Sequence, residues 1–352
     1  MLRTMNRSAL VFFVLVAACG RPAVATTQVT AAADGEQRFA ELGTCKLDGG
    51  AVIEGCRIGY RTYGKLDATR SNLVLWPTWF TGSTKPLTDA VPDKVVDTKK
   101  FFLVLVDALG DGVSSSPSNS ATQPRLKFPI FTIHDMVESQ RRLVREVLGV
   151  TKMRAVMGIS MGGMQTFEWA VAHPDEMERI VPIVGSPQLG AQDLLLWTAE
   201  REVLDGSIAY AHGTYEGRPK IPALQELHWS QLTTPAFRTA ETSRAEFPSW
   251  LATQSNDTSF DWNDWHRQLE AMLSHDVARA DGGDLAKAAA RVKAKALVIV
   301  AEQDHMVNPG PARTFAAAIH AEVYLSPAPC GHMAPGCDDE LAKRAKAFLE
   351  AP

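Results

Sequence analysis

Three residues of this chain have the types and the neighbours needed to cleave an acyl bond: Ser160, Asp304 and His332. A serine hydroxyl is a weak nucleophile until an imidazole within hydrogen-bond reach takes its proton, and the imidazole needs a carboxylate to fix its tautomer. Ser160 centres Gly158-Ile159-Ser160-Met161-Gly162, a G-x-S-x-G pentapeptide. Glycines on either side remove side chains where a strand and a helix meet at a sharp turn, so the hydroxyl can stand at its apex. Alone, such a pentapeptide is weak, because small residues gather in any Gly-rich turn. Asp304 lies in Ala301-Glu302-Gln303-Asp304-His305, and His332 in Pro329-Cys330-Gly331-His332-Met333. Glu302 and His305 are the competing acid and base. A metal site from Asp304, His305 and His332 lacks any recognised ligand spacing, and no C-x-x-C pair occurs, so neither metal nor cofactor is expected.

The elements that must position these groups can be read from apolar runs. Residues 155–157 have the content of a buried strand, and a helical pattern follows Ser160 to about Ala172, ending before Pro174. The first amides of that helix and its dipole would face a developing negative charge. Further strands are expected at 57–63, 72–76, 101–106, 180–184, 296–300 and around Val323. Asp304 then falls just past one strand end and His332 in the loop after the next. The loop at 107–120 is long and polar, at a strand end where open α/β sheets place ligands. Thr132 to Asp135 has the form of a capping box opening a helix that stops at Gly149; His134, in its first turn, reads as structural. From about 186 to 293 the alternation of strand and helix lapses, and five of the eight tryptophans fall there. That segment reads as a helical cap, its aromatics serving either cap–core packing or the lining of an apolar pocket.

Serine, acid and histidine at strand ends, in that chain order, define the α/β-hydrolase triad. The expected fold is a mostly parallel central sheet with an inserted helical cap: core at 37–186, cap at 187–293, core again at 294–352. The amide of Met161 would be one oxyanion donor, and an amide of the loop after the third strand, Phe80, the other.

An apolar content of 45% and a net charge of −4 suit a soluble globular protein and give no electrostatic case for nucleic acid or an anionic membrane. Arg3 and Arg7 precede an apolar run at 9–18, a signal-peptide pattern within 1–25. Val16-Ala17-Ala18-Cys19 resembles a lipobox, making Cys19 a lipidation candidate; cleavage after Ala23-Val24-Ala25 is the alternative. Either way export is expected, to the periplasm or a lipid-anchored position, with secretion as the alternative. Four cysteines then remain, and their spacing favours Cys45–Cys56 and Cys330–Cys337 disulfides, although sequence leaves the other pairings open.

The run Gly158 to Ala170 closely resembles the elbow of homoserine O-acetyltransferases, a branch of the α/β-hydrolase superfamily. Arg61-Thr62-Tyr63-Gly64, Phe80-Thr81-Gly82-Ser83, Thr132 to Val137 and Gly331-His332 also look like that family's landmarks. The resemblance implies the triad above, the Phe80 and Met161 amides in an oxyanion hole, and a homodimer formed through the cap. The departures matter as much. In the acetyltransferases the catalytic histidine is typically followed by an aspartate that receives the substrate's amino group; here Met333 follows. The family's G-H-x-T-Y-L-S-like segment, which binds the homoserine carboxylate and hydroxyl, has no counterpart, and 107–120 replaces its Gly- and Ser-rich loop. Acetyl-CoA is not expected outside the inner membrane. The expectation is therefore an exported serine hydrolase of a small-molecule acyl substrate, with an acyltransferase as the alternative and a noncatalytic binding protein as a lesser one.

Overall fold

The computed structural model describes residues 33–352. The signal segment at 1–25 and Cys19 lie outside the described residues. Among the described residues eight strands form one sheet, in the order β1-β2-β4-β3-β5-β6-β7-β8. They are β1 (Arg38–Lys46), β2 (Val52–Tyr63), β3 (Leu73–Pro77), β4 (Phe102–Val106), β5 (Met153–Ile159), β6 (Met177–Ile183), β7 (Lys295–Ala301) and β8 (Glu322–Ser326). β1 and β2 run antiparallel and β2 is antiparallel to β4; every other neighbour pair is parallel. β3 is buried along its whole length and β4 to β7 nearly so, which is why their central residues read as apolar runs, with charged residues only towards the N-terminal ends of β5, β6 and β7.

Helices cover both faces. α1 (Thr84–Ala90), α2 (Ile133–Arg142) and α3 (Met161–Ala172) connect successive core strands. α2 opens with the expected capping box, Thr132 and Asp135 each accepting from the other's amide. Between β6 and β7 the chain builds α4 (Ala191–Asp205), α5 (Pro222–Leu232), α6 (Pro235–Glu241), α7 (Phe247–Ser255), α8 (Trp262–Leu273) and α9 (Leu285–Ala289) with no strand among them. α10 (Pro309–Ala318) links β7 to β8, and α11 (Ala334–Cys337) and α12 (Asp339–Glu350) follow. The amphipathic helices α2 and α12 bury one face each, while α8 is buried nearly all round between cap and core.

The sequence reading missed β1. Its residues alternate imperfectly because the pairing with β2 slips at Gly43, where φ is +70°. A turn at Asp48 to Gly50 joins β1 to β2, and a Cys45–Cys56 disulfide ties the pair.

Candidate active site

The strand-to-helix turn after β5 places Ser160 in a conformation few side chains adopt, φ +57° and ψ −120°. Two close approaches make this possible. A Cβ on Gly158 would meet Gly162 O at 2.4 Å, and one on Gly162 would meet Pro77 O at 2.6 Å. Any larger residue would push α3 away from the sheet. The Ser160 amide donates to Ile183 O at 2.8 Å, anchoring the turn to β6.

Ser160, Asp304 and His332 converge at the C-terminal edge of the sheet. The Ser160 hydroxyl donates to His332 Nε2 at 2.9 Å, and His332 Nδ1 donates to Asp304 Oδ2 at 2.7 Å. Asp304 Oδ1 accepts from the amides of Met306 and Val307, both at 2.9 Å, so the carboxylate is held on both oxygens. Each of the three is less than a tenth exposed. Glu302 and His305, the rival acid and base, are exposed and do not border the cavity. His134 bonds Glu168 at 2.7 Å, also apart from it.

His332 sits in a short loop with unusual constraints. Gly331 has φ +63°, and a Cβ there would meet Gln303 O at 3.1 Å and Thr234 N at 3.3 Å, so glycine is required beside the histidine. The Thr234 hydroxyl, at the N-terminus of α6, donates to Pro329 O at 2.5 Å. The Cys330–Cys337 disulfide closes the loop on its other side.

The amides of Phe80 and Met161, the expected oxyanion donors, have no hydrogen-bond partner among the described residues. Met161 is the first residue of α3, where no intrahelical acceptor exists. The Phe80 loop is held by groups that sequence reasoning did not single out. Thr81 lies at φ +62°, a strained value for a β-branched residue. Its amide donates to Gln268 Oε1 at 3.0 Å, and Gln268 Nε2 donates to Leu109 O at 3.1 Å. On the other side Gln165 Nε2 donates to Thr78 O at 3.0 Å, and Gln140 Nε2 donates to Gln165 Oε1 at 2.6 Å. A cap helix and the elbow helix thus clamp one loop through buried amides. Gln268→Leu frees the Thr81 amide and lets the strained turn relax. We expect a tenfold to hundredfold fall in kcat, in the range of about 10²-fold for a lost oxyanion donor, with KM little changed. Steady-state kinetics with a melting curve as the folding control would check it.

A cavity of about 410 Å³ opens directly over Ser160 and His332. Six Trp and Phe rings line it, Trp79, Phe80, Trp197, Trp229, Phe260 and Trp265, together with aliphatic side chains and the polar Gln225, Asp257 and Ser259. Trp250 and Trp262 do not reach it and pack against other aromatics, so the cap tryptophans divide between both expected roles. Met333 lies at its edge, 42% exposed.

The loop at 107–120 does not line this cavity, contrary to the expectation of a ligand loop. It is buried structure. Ser114 donates to Asp107 O at 2.7 Å, and the Asp111 carboxylate accepts from the amides of Val113 and Ser114. Ser118 donates its amide and hydroxyl to Asp264 on α8, at 2.9 and 2.5 Å, so the loop splices cap to core. Burial pushes the Asp264 carboxyl from 3.8 up to about 8. Asp111 is raised well above the usual range by burial and then by the Asp107 charge. For Asp264 the folded state keeps a proton that the unfolded chain releases near 3.8, so its contribution to stability is full below that pH and lost as pH rises through about 8. Asp264→Asn should flatten that part of the stability profile. Urea unfolding at about pH 5 and about pH 9 measures it: the parent loses more stability between the two than the variant.

Among the described residues no group of three or more His, Cys, Asp or Glu side chains is placed to hold a metal ion. No helix among them is long and apolar enough to cross a membrane.

Strand order, elbow and helical insertion together define a family, and the comparisons agree. The family model for the alpha/beta hydrolase fold matches residues 73–336, and the chain belongs to that family. A probable esterase of Corynebacterium glutamicum is 32% identical over 294 residues, covering 78% of this chain and 83% of the relative. A homoserine O-acetyltransferase of Caulobacter vibrioides is 32% identical over 305 residues, covering 75% and 79%. The crystal structure of an acetylester hydrolase from Corynebacterium glutamicum superposes with a TM-score of 0.83 at 28% identity, covering 90% of this chain and 97% of that one. The protein is therefore an enzyme of the branch that contains homoserine O-acetyltransferases and esterases.

Proposed function

We propose that the protein is an exported serine hydrolase that cleaves short carboxylic esters through an acyl-enzyme on Ser160. The observation that carries this reading is the unbroken relay from Ser160 through His332 to Asp304 beneath an aromatic cavity. In the proposed cycle, Ser160 Oγ attacks the ester carbonyl carbon as His332 Nε2 takes its proton, and Asp304 stabilises the imidazolium. The tetrahedral oxyanion is received by the Phe80 and Met161 amides. Collapse expels the alcohol, which takes the proton from His332. A water molecule, deprotonated in turn by His332, then releases the acid and restores the serine.

Met333 supports hydrolysis over transfer to an amino acid. It borders the cavity with a thioether, which cannot pair an ammonium group. An ammonium group held beside Met333 finds no partner there, and each about 1 kcal/mol of pairing lost costs several-fold in binding. The acetylester hydrolase structure supports a short acyl group. Two disulfides support export, since they persist in oxidising compartments. Mass spectrometry of the protein from its native host should find no free thiol at Cys45, Cys56, Cys330 or Cys337; four free thiols would contradict export.

The test of the function is a paired assay. Purified protein is given p-nitrophenyl acetate, and separately acetyl-CoA with and without homoserine. Ester turnover with no homoserine-dependent thiol release is the expected result. Homoserine-dependent release would establish the acyltransferase reading instead.

A further inference from the structure

A second imidazole–carboxylate pair faces the same cavity as the triad and takes no part in it. His228 on α5 lines the cavity, and its Nδ1 lies 3.0 Å from Glu200 Oε1 on α4. Glu200 is wholly buried, while the His228 side chain is 12% exposed. The ring is boxed by aromatics: its centroid is 5.0 Å from Trp265, 5.9 Å from Phe80 and 6.3 Å from Trp197. A buried carboxylate on Nδ1 fixes the ring's rotation and leaves Nε2, which has no partner among the described residues, as the polar atom presented to the cavity. Glu200 Oε2 and the indole nitrogens of Trp197 and Trp265 are buried without a partner among the described residues and have no surface open to the cavity, so Nε2 of His228 is the polar atom of this cluster that a ligand can reach.

We propose that His228, held by Glu200, is a specificity site for a hydroxyl group on the alcohol part of the ester. This rests on the hydrolase reading above and names its substrate class: short-chain esters of diols or polyols. Phe80 ties the two sites together, since its ring packs on His228 and it lines the same cavity as Ser160. A group bound at His228 is thus attached to the same substrate whose carbonyl lies at Ser160. A hydroxyl is the chemistry that fits because it pairs with Nε2 in either protonation state. It donates to the neutral ring's lone pair and accepts from the imidazolium N–H. An ammonium could serve only the first, a carboxylate only the second. The aromatic and aliphatic side chains on the other walls, Trp197 and Leu232 among them, reward the carbon chain between the two oxygens.

The experiment compares kcat/KM for two esters of equal acyl group, ethyl acetate and 2-hydroxyethyl acetate, followed by acid release. The parent protein should prefer the hydroxylated ester by about tenfold, the effect of one hydrogen bond of about 1.4 kcal/mol. His228→Phe should bring the ratio close to one, and His228→Gln, which keeps a donor and an acceptor at the site, should restore part of it. The ratio is the readout because a merely structural role for His228 would lower both esters together. Brisk turnover of both esters by the parent at a ratio near one overturns the proposal and leaves the hydrolase reading standing. A preference that survives in a folded His228→Phe also overturns it. No turnover of either ester by the parent overturns the hydrolase reading, and the proposal with it. The parent ratio is decisive by itself, so the test does not depend on a variant folding.

Discussion

Ser160→Ala should lower ester turnover by about five to six orders of magnitude while leaving the fold intact, because the triad acts as a unit and its loss removes the covalent route altogether. Alanine keeps Cβ and loses only the hydroxyl, so the strain at φ +57° is unchanged, and the turn is anchored by its amide to Ile183 O rather than by its hydroxyl. The residual rate should still exceed that in water, by about 10³–10⁴, if the Phe80 and Met161 amides polarise the carbonyl for direct attack by water. Substrate affinity should change little, since the cavity walls are untouched. Initial rates with p-nitrophenyl acetate, alongside a melting curve, would show this; an alanine variant with more than about a tenth of the parent rate would contradict it.

Asp304→Asn should be nearly as damaging, about 10⁴-fold in kcat, and for a reason that can be traced atom by atom. The asparagine carbonyl can keep the two amide bonds from Met306 and Val307 that Asp304 Oδ1 now accepts. Its NH₂ then replaces Oδ2 opposite His332 Nδ1. That group donates where the carboxylate accepted, so the ring adopts the tautomer with its proton on Nε2. Nε2 is the atom that must receive the Ser160 proton, 2.9 Å away. The imidazole would stay in place and lose its function. The expected signature is a fall in kcat with KM and melting temperature nearly unchanged, and with partial recovery at high pH as hydroxide takes over the proton abstraction. A collapse in stability instead would mean that Asp304 is chiefly a structural residue.

Much of this site was legible in the sequence because its parts are local. The elbow is a pentapeptide between a buried strand and a helix, and the acid and base follow strand ends that apolar runs mark. The two cysteine pairs span short loops, and spacing suffices to suggest them. The parts that were not legible are contacts between segments far apart in the chain. Gln268 meets Thr81 across 187 residues, and nothing in the sequence of α8 distinguishes that glutamine from a solvated one. His228 and Glu200 sit on separate cap helices whose apolar patterns are too irregular to give their mutual orientation. The loop at 107–120 misled for a physical reason. Its serines and aspartates are polar in composition, but their side chains satisfy the loop's own backbone and the cap helix, so it packs as structure rather than opening as a binding loop. Composition reports polarity and says nothing of where its hydrogen bonds go.

The central claim, that acyl transfer passes through Ser160, is most directly tested by trapping the intermediate. Parent protein would be mixed rapidly with p-nitrophenyl acetate, quenched in acid within the first turnover, digested and measured by mass spectrometry. One acetyl group is expected on the peptide that carries Ser160, absent from Ser160→Ala and decaying as water is allowed to act. An unmodified Ser160 peptide, quenched while the first equivalent of p-nitrophenol is being released, would contradict this, as would an acetyl group found on another residue.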